Sequence, residues 1–240
     1  VYSGAPLPQT TVGAVISIAD KIDSICGCFS VGLVPTGASD PYALRRQGIG
    51  IVQIMQDKAF SISLQNLIHN SLKQYNIKGK KKDNELSLKI YTFLKNRISH
   101  LLGEEGYSKD IIAAVADVSV DDVPNTWKRV AALESLQRQK DFEALVAGFK
   151  RVVNILKKSG NMESKAKIAA INEKLFEDQS ESALYTAYKQ VKQKVADAME
   201  KAQYDRALKE IASLRQSVDA FFDDVMVMTD NKRVRKNRLN

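Results

Sequence analysis

The chain has 240 residues, 44% of them apolar, enough for a sizeable core and for one or two domains. Its net charge is +8, which suits a polyanionic partner, and no apolar run reaches the ~18 residues that a membrane span needs. Two Cys (Cys26, Cys28) and two His (His69, His100) give no basis for a disulfide framework or a zinc site, and a reducing cytoplasm is the expected setting.

Only 12 Gly and 5 Pro, with dense Leu, Ala and Lys, point to an all-α protein built as a helical bundle. The charge is uneven. Residues 1–60 carry four Lys/Arg against four Asp/Glu, residues 61–160 carry 17 against 11, and residues 161–240 carry 15 against 13. The basic excess therefore lies downstream of residue 60. Val1 in place of Met, and an end just after a basic run, suit a piece of a longer polypeptide.

Thr11 is expected to cap a first helix whose apolar stripe is Val15, Ile18, Ala19, Ile22, Ile25, Cys26 and Phe29. Asp20 and Asp23, three apart, share a face of it. Two facing carboxylates can hold a metal; a structural or solvated pair is the other reading. The stretch Val34–Ile51 follows. Pro35 and Gly37 make a bend, and Asp40-Pro41 is a helix start. The helix expected from Pro41 to about Asp57 contains Gly48 and Gly50, each costing about 1 kcal/mol against Ala. Keeping both implies a backbone close by or room for a ligand. Arg45 and Arg46 sit one turn in, either as phosphate contacts or as salt bridges pinning the bend.

Ser61 or Ser63 begins the next helix, with Leu64, Leu67, Ile68, Leu72 and Tyr75 on one face. Asn76–Asn84 is expected to be a Lys-rich loop, a solvated turn or an RNA contact. Leu86, Ile90, Phe93, Leu94, Ile98, Leu101 and Leu102 describe a helix stopped by Gly103, with Lys89, Lys95 and Arg97 off its stripe. Short helices start at Ser108 and at Pro124 or Asn125. The second is expected to bury Trp127, Val130, Ala131 and Leu133.

Asp141 is expected to cap the most informative helix. Phe142, Leu145, Val146, Phe149, Val152, Val153 and Leu156 fall within an arc of about 120°. Lys150, Arg151, Asn154, Lys157 and Lys158 occupy a separate arc. Four cations and an amide on one face can contact phosphates and base edges, or form a solvated polar face. Residues 159–179 are expected to be a loop with a weaker helix. A long helix follows through Leu184, Tyr188, Val191, Val195, Ala198 and Met199. Another begins at Ala207, and the apolar pattern continues through Val218, Phe221, Phe222, Val225, Met226 and Met228. Asp223 and Asp224 fit helix surface or capping rather than a metal site. Lys232, Arg233, Arg235, Lys236 and Arg238 are five cations in seven positions, a phosphate contact or the end of a final helix.

Catalytic motifs are missing. There is no Gly-rich phosphate loop, no GxSxG, no HExxH, and neither HIGH nor KMSKS.

The run PTGASDPYALRR (Pro35–Arg46), preceded by ADKIDSICGCFSVGLV, resembles the beta subunit of bacterial heterotetrameric glycyl-tRNA synthetases. So do FEALVAGFKRVVNILKK (Phe142–Lys158), ESALYTAY (Glu181–Tyr188) and VDAFFDDVMVM (Val218–Met228), in the same order. Essentially the whole chain is covered. Ala38 and Tyr42 are small departures, as is the Cys26/Cys28 pair.

The resemblance implies that residues 1–60 end an HD-like domain and that residues 61–240 form a DALR-like anticodon-binding domain. Asp20 would match an HD ligand position, but no His precedes His69 to complete that site. It further implies tRNA-Gly and the alpha subunit as partners, in a heterotetramer of two alpha and two beta subunits. ATP and Mg would be used by the holoenzyme, with no cofactor and no catalytic residue in this piece. The residues expected to contact tRNA, chosen from the basic face of the Phe142–Lys158 helix and not assigned by the resemblance, are Lys150, Arg151, Asn154, Lys157 and Lys158, with Arg45 and Arg46 secondary. Two other readings stand beside it: a remnant of an HD-type metal phosphohydrolase, and a structural helical segment docking the alpha or a second beta subunit.

Overall fold

A computed structural model describes residues 6–37, 39–75, 80–159 and 170–240, with the side chains of 80–82 excepted. The described residues form eleven α-helices and one 3-10 turn, as the composition implied, and no named strand. The chain divides into two compact units, residues 1–131 and 132–240.

In the first unit, α1 (Thr11–Ser30) opens at Thr11, and its cap lies one residue earlier than expected. Thr10 is the N-cap, and its hydroxyl accepts from the Gly13 amide at 3.1 Å. The buried face is Ala14, Ile18, Lys21, Ile22, Ile25, Cys26 and Phe29, whereas Val15 and Ala19 are exposed. The helix expected from Pro41 begins only at Leu44 (α2, Leu44–Asp57), because Ala43 takes a left-handed conformation with φ 53°. Asp40 still caps it, four residues upstream: its two carboxylate oxygens accept from the amides of Leu44 (2.8 Å) and Arg45 (3.0 Å).

Ser63 caps α3 (Leu64–Leu72), accepting from the Asn66 amide. The long helix α4 (Lys80–Glu104) starts inside the segment expected to be a loop. The remainder of that loop, 76–79, and the side chains of its lysines lie outside the described residues. Nor does α4 stop at Gly103. It runs on to Glu104, and the chain turns at Gly106, whose φ of 93° suits a residue without Cβ. Ile90, Leu94, Ile98 and Leu102, spaced by four, are fully buried, and α4 packs on α2 and α3, where Leu44, Ile51, Met55, Leu64 and Ile68 are also buried. Phe93 meets Phe29 edge-on at 5.3 Å.

Ser108 caps α5 (Lys109–Ala116), and α6 (Val123–Gln137) follows. α6 buries Trp127, Val130, Ala132 and Leu136, and Ala131 is exposed instead of buried. The indole N–H of Trp127 donates to both carboxylate oxygens of Glu105, at 2.9 and 3.0 Å. Asp121 holds the start of α3, its carbonyl accepting from Leu64 and its side chain from Gln65. The domain boundary expected at residue 60 falls inside this unit, where α1 and α2 pack on α3 and α4.

The second unit contains α7 (Phe142–Lys158), a 3-10 turn (Glu173–Leu175), α8 (Gln179–Glu200), α9 (Tyr204–Ser213), α10 (Arg215–Asp224) and α11 (Lys232–Arg238). Asp178 and Glu181 form a capping box at the start of α8. α8 packs on α9 and α10, and α10 packs on α7. The helix ends at Asp224: Val225 is extended and a turn follows at Val227 and Met228, with Val225 and Val227 buried and Met226 and Met228 exposed. The expected continuation of the helical pattern through Met226 and Met228 therefore fails. Phe221, Val225 and Val227 form a core cluster, with Ile155, Leu184, Phe222 and Leu239 against it.

Candidate nucleic-acid interface

α7 forms because its apolar residues recur at helical spacing and its basic residues cluster towards the C-terminal end, where cations favour the helix dipole. Asp141 occupies the N-cap position but makes no side-chain capping bond. Of the apolar arc only Leu145 is buried, and Phe149 is 47% exposed.

Lys150, Arg151, Asn154, Lys157 and Lys158 are all exposed on this helix. Arg151 differs from the rest. Its Nη2 donates to the Phe222 carbonyl at 3.0 Å, its Nη1 lies 3.7 Å from Asp223 Oδ1, and its guanidinium sits 4.6 Å from the Phe222 ring centre. It fastens α7 to the end of α10. Lys150, Asn154, Lys157 and Lys158 have no side-chain partner among the described residues. Three cations and an amide thus stand on one helix, free to meet an external polyanion.

α8 adds residues that the sequence reasoning passed over. Tyr185 and Tyr188 stack at 6.5 Å with rings 22° apart, Lys189 lies over Tyr185 at 4.3 Å, and Lys192 lies over Tyr188 at 5.8 Å. Tyr188 is 41% exposed. The available signal was the YTAYKQVK spacing, which places two aromatics and two lysines on one helix face. Phe149, Phe176, Tyr185, Tyr188 and Phe222 line a cleft of about 490 Å³ within this unit.

The basic run at the end of the chain is partly structural. Arg238 is inside: its guanidinium meets Glu181 at 2.9 and 3.2 Å, Glu177 at 2.9 Å and the Met226 carbonyl at 3.2 Å. Burial pushes the Glu181 carboxyl up, but Arg238 and the amides of Glu177 and Asp178 outweigh it and hold it below its ordinary value. The same pairing raises Arg238. Asn237 exchanges two hydrogen bonds with the Asn172 backbone, at 2.8 and 3.1 Å. Lys232, Arg233 and Lys236 remain exposed.

In the first unit, Arg45 donates from Nη2 to the Thr36 carbonyl, pinning the bend by a hydrogen bond rather than by a salt bridge, and Arg46 is exposed. Neither a backbone nor a ligand space explains the two glycines of α2. A Cβ at Gly48 would lie 3.1 Å from Arg97 and Phe93, and one at Gly50 would lie 3.1 Å from Lys21. Asp23 accepts from the Tyr75 hydroxyl at 2.8 Å, and Asp20 is exposed. Among the described residues no three His, Cys, Asp or Glu side chains are grouped to hold a metal.

Two family models match the chain. The one described as glycyl-tRNA synthetase beta subunit covers residues 1–117, and the DALR anticodon binding domain covers residues 145–240. The glycine–tRNA ligase beta subunit of Desulfatibacillum aliphaticivorans is 47% identical over 99% of the chain, and that of Desulforapulum autotrophicum is 46% identical over 100%. That of Trichlorobacter lovleyi is 40% identical over 99%. The chain spans 34%, 34% and 33% of these relatives, about one third of their length.

Proposed function

Because the chain belongs to the glycyl-tRNA synthetase beta-subunit family, we propose that it is the tRNA-binding part of a glycine–tRNA ligase beta subunit. Its second unit grips tRNA-Gly by the anticodon arm. The observation that carries this reading is the set of polar side chains on α7 (Lys150, Asn154, Lys157 and Lys158) that are exposed and have no partner among the described residues, inside the stretch that matches an anticodon-binding domain. Lysines neutralise backbone phosphates there, and Asn154 is the group suited to a base edge. Arg151 acts by holding α7 in place. Glycine activation, with its ATP and Mg, belongs to the alpha subunit, and the assembled enzyme contains two alpha and two beta subunits in the cytoplasm. No described helix is long and apolar enough to cross a membrane. Charge reversal at Lys150, Lys157 and Lys158 tests the assignment. The fold should survive while tRNA affinity falls; unchanged affinity in a folded variant would refute it.

A docking role is a second reading for the first unit. It is favoured by one feature, the exposed apolar face of α1 at Val12, Val15 and Ile16.

A further inference from the structure

The first unit carries two neighbouring arginines, Arg45 and Arg97, that form no ion pair with its carboxylates among the described residues. Arg45 and Gly48 are three apart on α2 and therefore share a face. Because Gly48 has no side chain, the stem of Arg97 lies against that face, with its Cγ 3.1 Å from where a Cβ would stand. The Arg97 guanidinium rests 5.3 Å from the Phe93 ring centre, and Arg45 is anchored on the Thr36 carbonyl. Arg97 Nε is buried and has no hydrogen-bond partner. Among the described residues no carboxylate forms an ion pair with Arg45, Arg46 or Arg97. Asp40 is the acid within reach, but its two oxygens are already engaged by the Leu44 and Arg45 amides. Burial lowers the Arg97 pKa, the Arg45 charge lowers it further, and Asp40 opposes them.

Two guanidinium groups in one partly desolvated place repel each other, and a buried N–H without an acceptor is costly. An anion held by the two groups offsets their repulsion. The planar fork of a guanidinium matches the oxygens of a phosphate better than a point charge does. We propose that Arg45 and Arg97 form a binding site for a phosphate group, with Arg46 at its rim. The ligand is either a backbone phosphate of RNA or the phosphate of a small molecule. The site lies outside the α7 surface and stands or falls separately from the anticodon reading.

The test is titration of the whole chain with inorganic phosphate against chloride at matched ionic strength, following the Arg Nε–Hε resonances and the melting temperature. Phosphate should shift the Arg45 and Arg97 resonances saturably and raise the melting temperature. In Arg97→Gln the Arg45 shift should disappear. In Arg97→Lys, which keeps the charge and loses the fork, phosphate affinity should fall about tenfold, and this variant serves should the Gln variant fail to fold. No saturable shift in the parent chain, or an Arg45 shift and a phosphate affinity that survive unchanged in either variant, would overturn the proposal. The source is separated by RNA binding. If the ligand is an RNA backbone phosphate, Arg97→Gln lowers the salt slope of tRNA binding by about one ion. An unchanged slope with phosphate binding lost assigns the site to a small phosphorylated ligand.

Discussion

Arg151 and Phe222 bind each other twice: the guanidinium lies 4.6 Å over the ring and donates to the carbonyl of the same residue at 3.0 Å. The two positions are 71 residues apart, and the contact ties α7 to the end of α10. A cation in the middle of a basic helix face thus has a packing role.

Arg151→Ala should lower the stability of the second unit by about 1 kcal/mol, the size of an exposed charge-assisted bond with a cation–π contact. Urea unfolding followed by circular dichroism reads this. The salt slope of tRNA binding should stay that of the parent chain, because Arg151 is not counted among the phosphate contacts.

Arg238 and Glu181 form the most enclosed ion pair among the described residues of the second unit, at 6% and 2% side-chain exposure. Removing one partner of such a pair leaves the other charge buried, so Arg238→Ala should cost about 3 kcal/mol. The pH dependence follows from the depressed Glu181 carboxyl. Its contribution is complete above the ordinary carboxyl value near 4.5 and is lost as pH falls through its lower folded value. The urea midpoint should therefore drop more steeply below pH 4.5 in the parent chain than in Glu181→Gln.

Several features were legible because they depend on neighbours in sequence. The Ser63 and Ser108 caps, the α4 stripe and the two faces of α7 are all set within a few turns. The rest depends on distant partners. Arg238 read as one more cation in a basic tail because Glu177 and Glu181 lie 61 and 57 residues away. Val227 was missed because the helical period ends at Asp224 and Val227 lies in the turn that follows. Gly103 and Gly106 both resemble helix stops, and only backbone geometry selects Gly106, at φ 93°. In the candidate site, the exposure of Lys150, Arg151, Asn154, Lys157 and Lys158 on α7 was legible by type and spacing. The engagement of Arg151 by α10 was not, nor was the meeting of Arg97 with Gly48.

Trp127 is the only Trp in the chain and is buried, so its fluorescence reports on the first unit. Glu105→Ala removes the acceptor of its indole N–H and should cost about 1–2 kcal/mol, the price of an unsatisfied buried donor. The emission maximum and the midpoint of a urea melt followed at Trp127 should both shift, with the second unit unaffected.

Reversing Lys150, Lys157 and Lys158 to Glu removes up to three phosphate contacts. The slope of log affinity against log salt should fall by about 2, and affinity at low salt by at least about tenfold. Circular dichroism should show the parent helix content, since all three side chains are exposed and unpartnered among the described residues.

The central claim is that the second unit reads the anticodon arm of tRNA-Gly. Titration of the chain with tRNA-Gly and with an anticodon-swapped tRNA-Gly, at low and at moderate salt, tests it most directly. The account predicts salt-sensitive binding with a clear preference for the native anticodon. Equal affinity for the two RNAs would contradict sequence reading, and absence of binding at both salt concentrations would contradict the RNA role altogether.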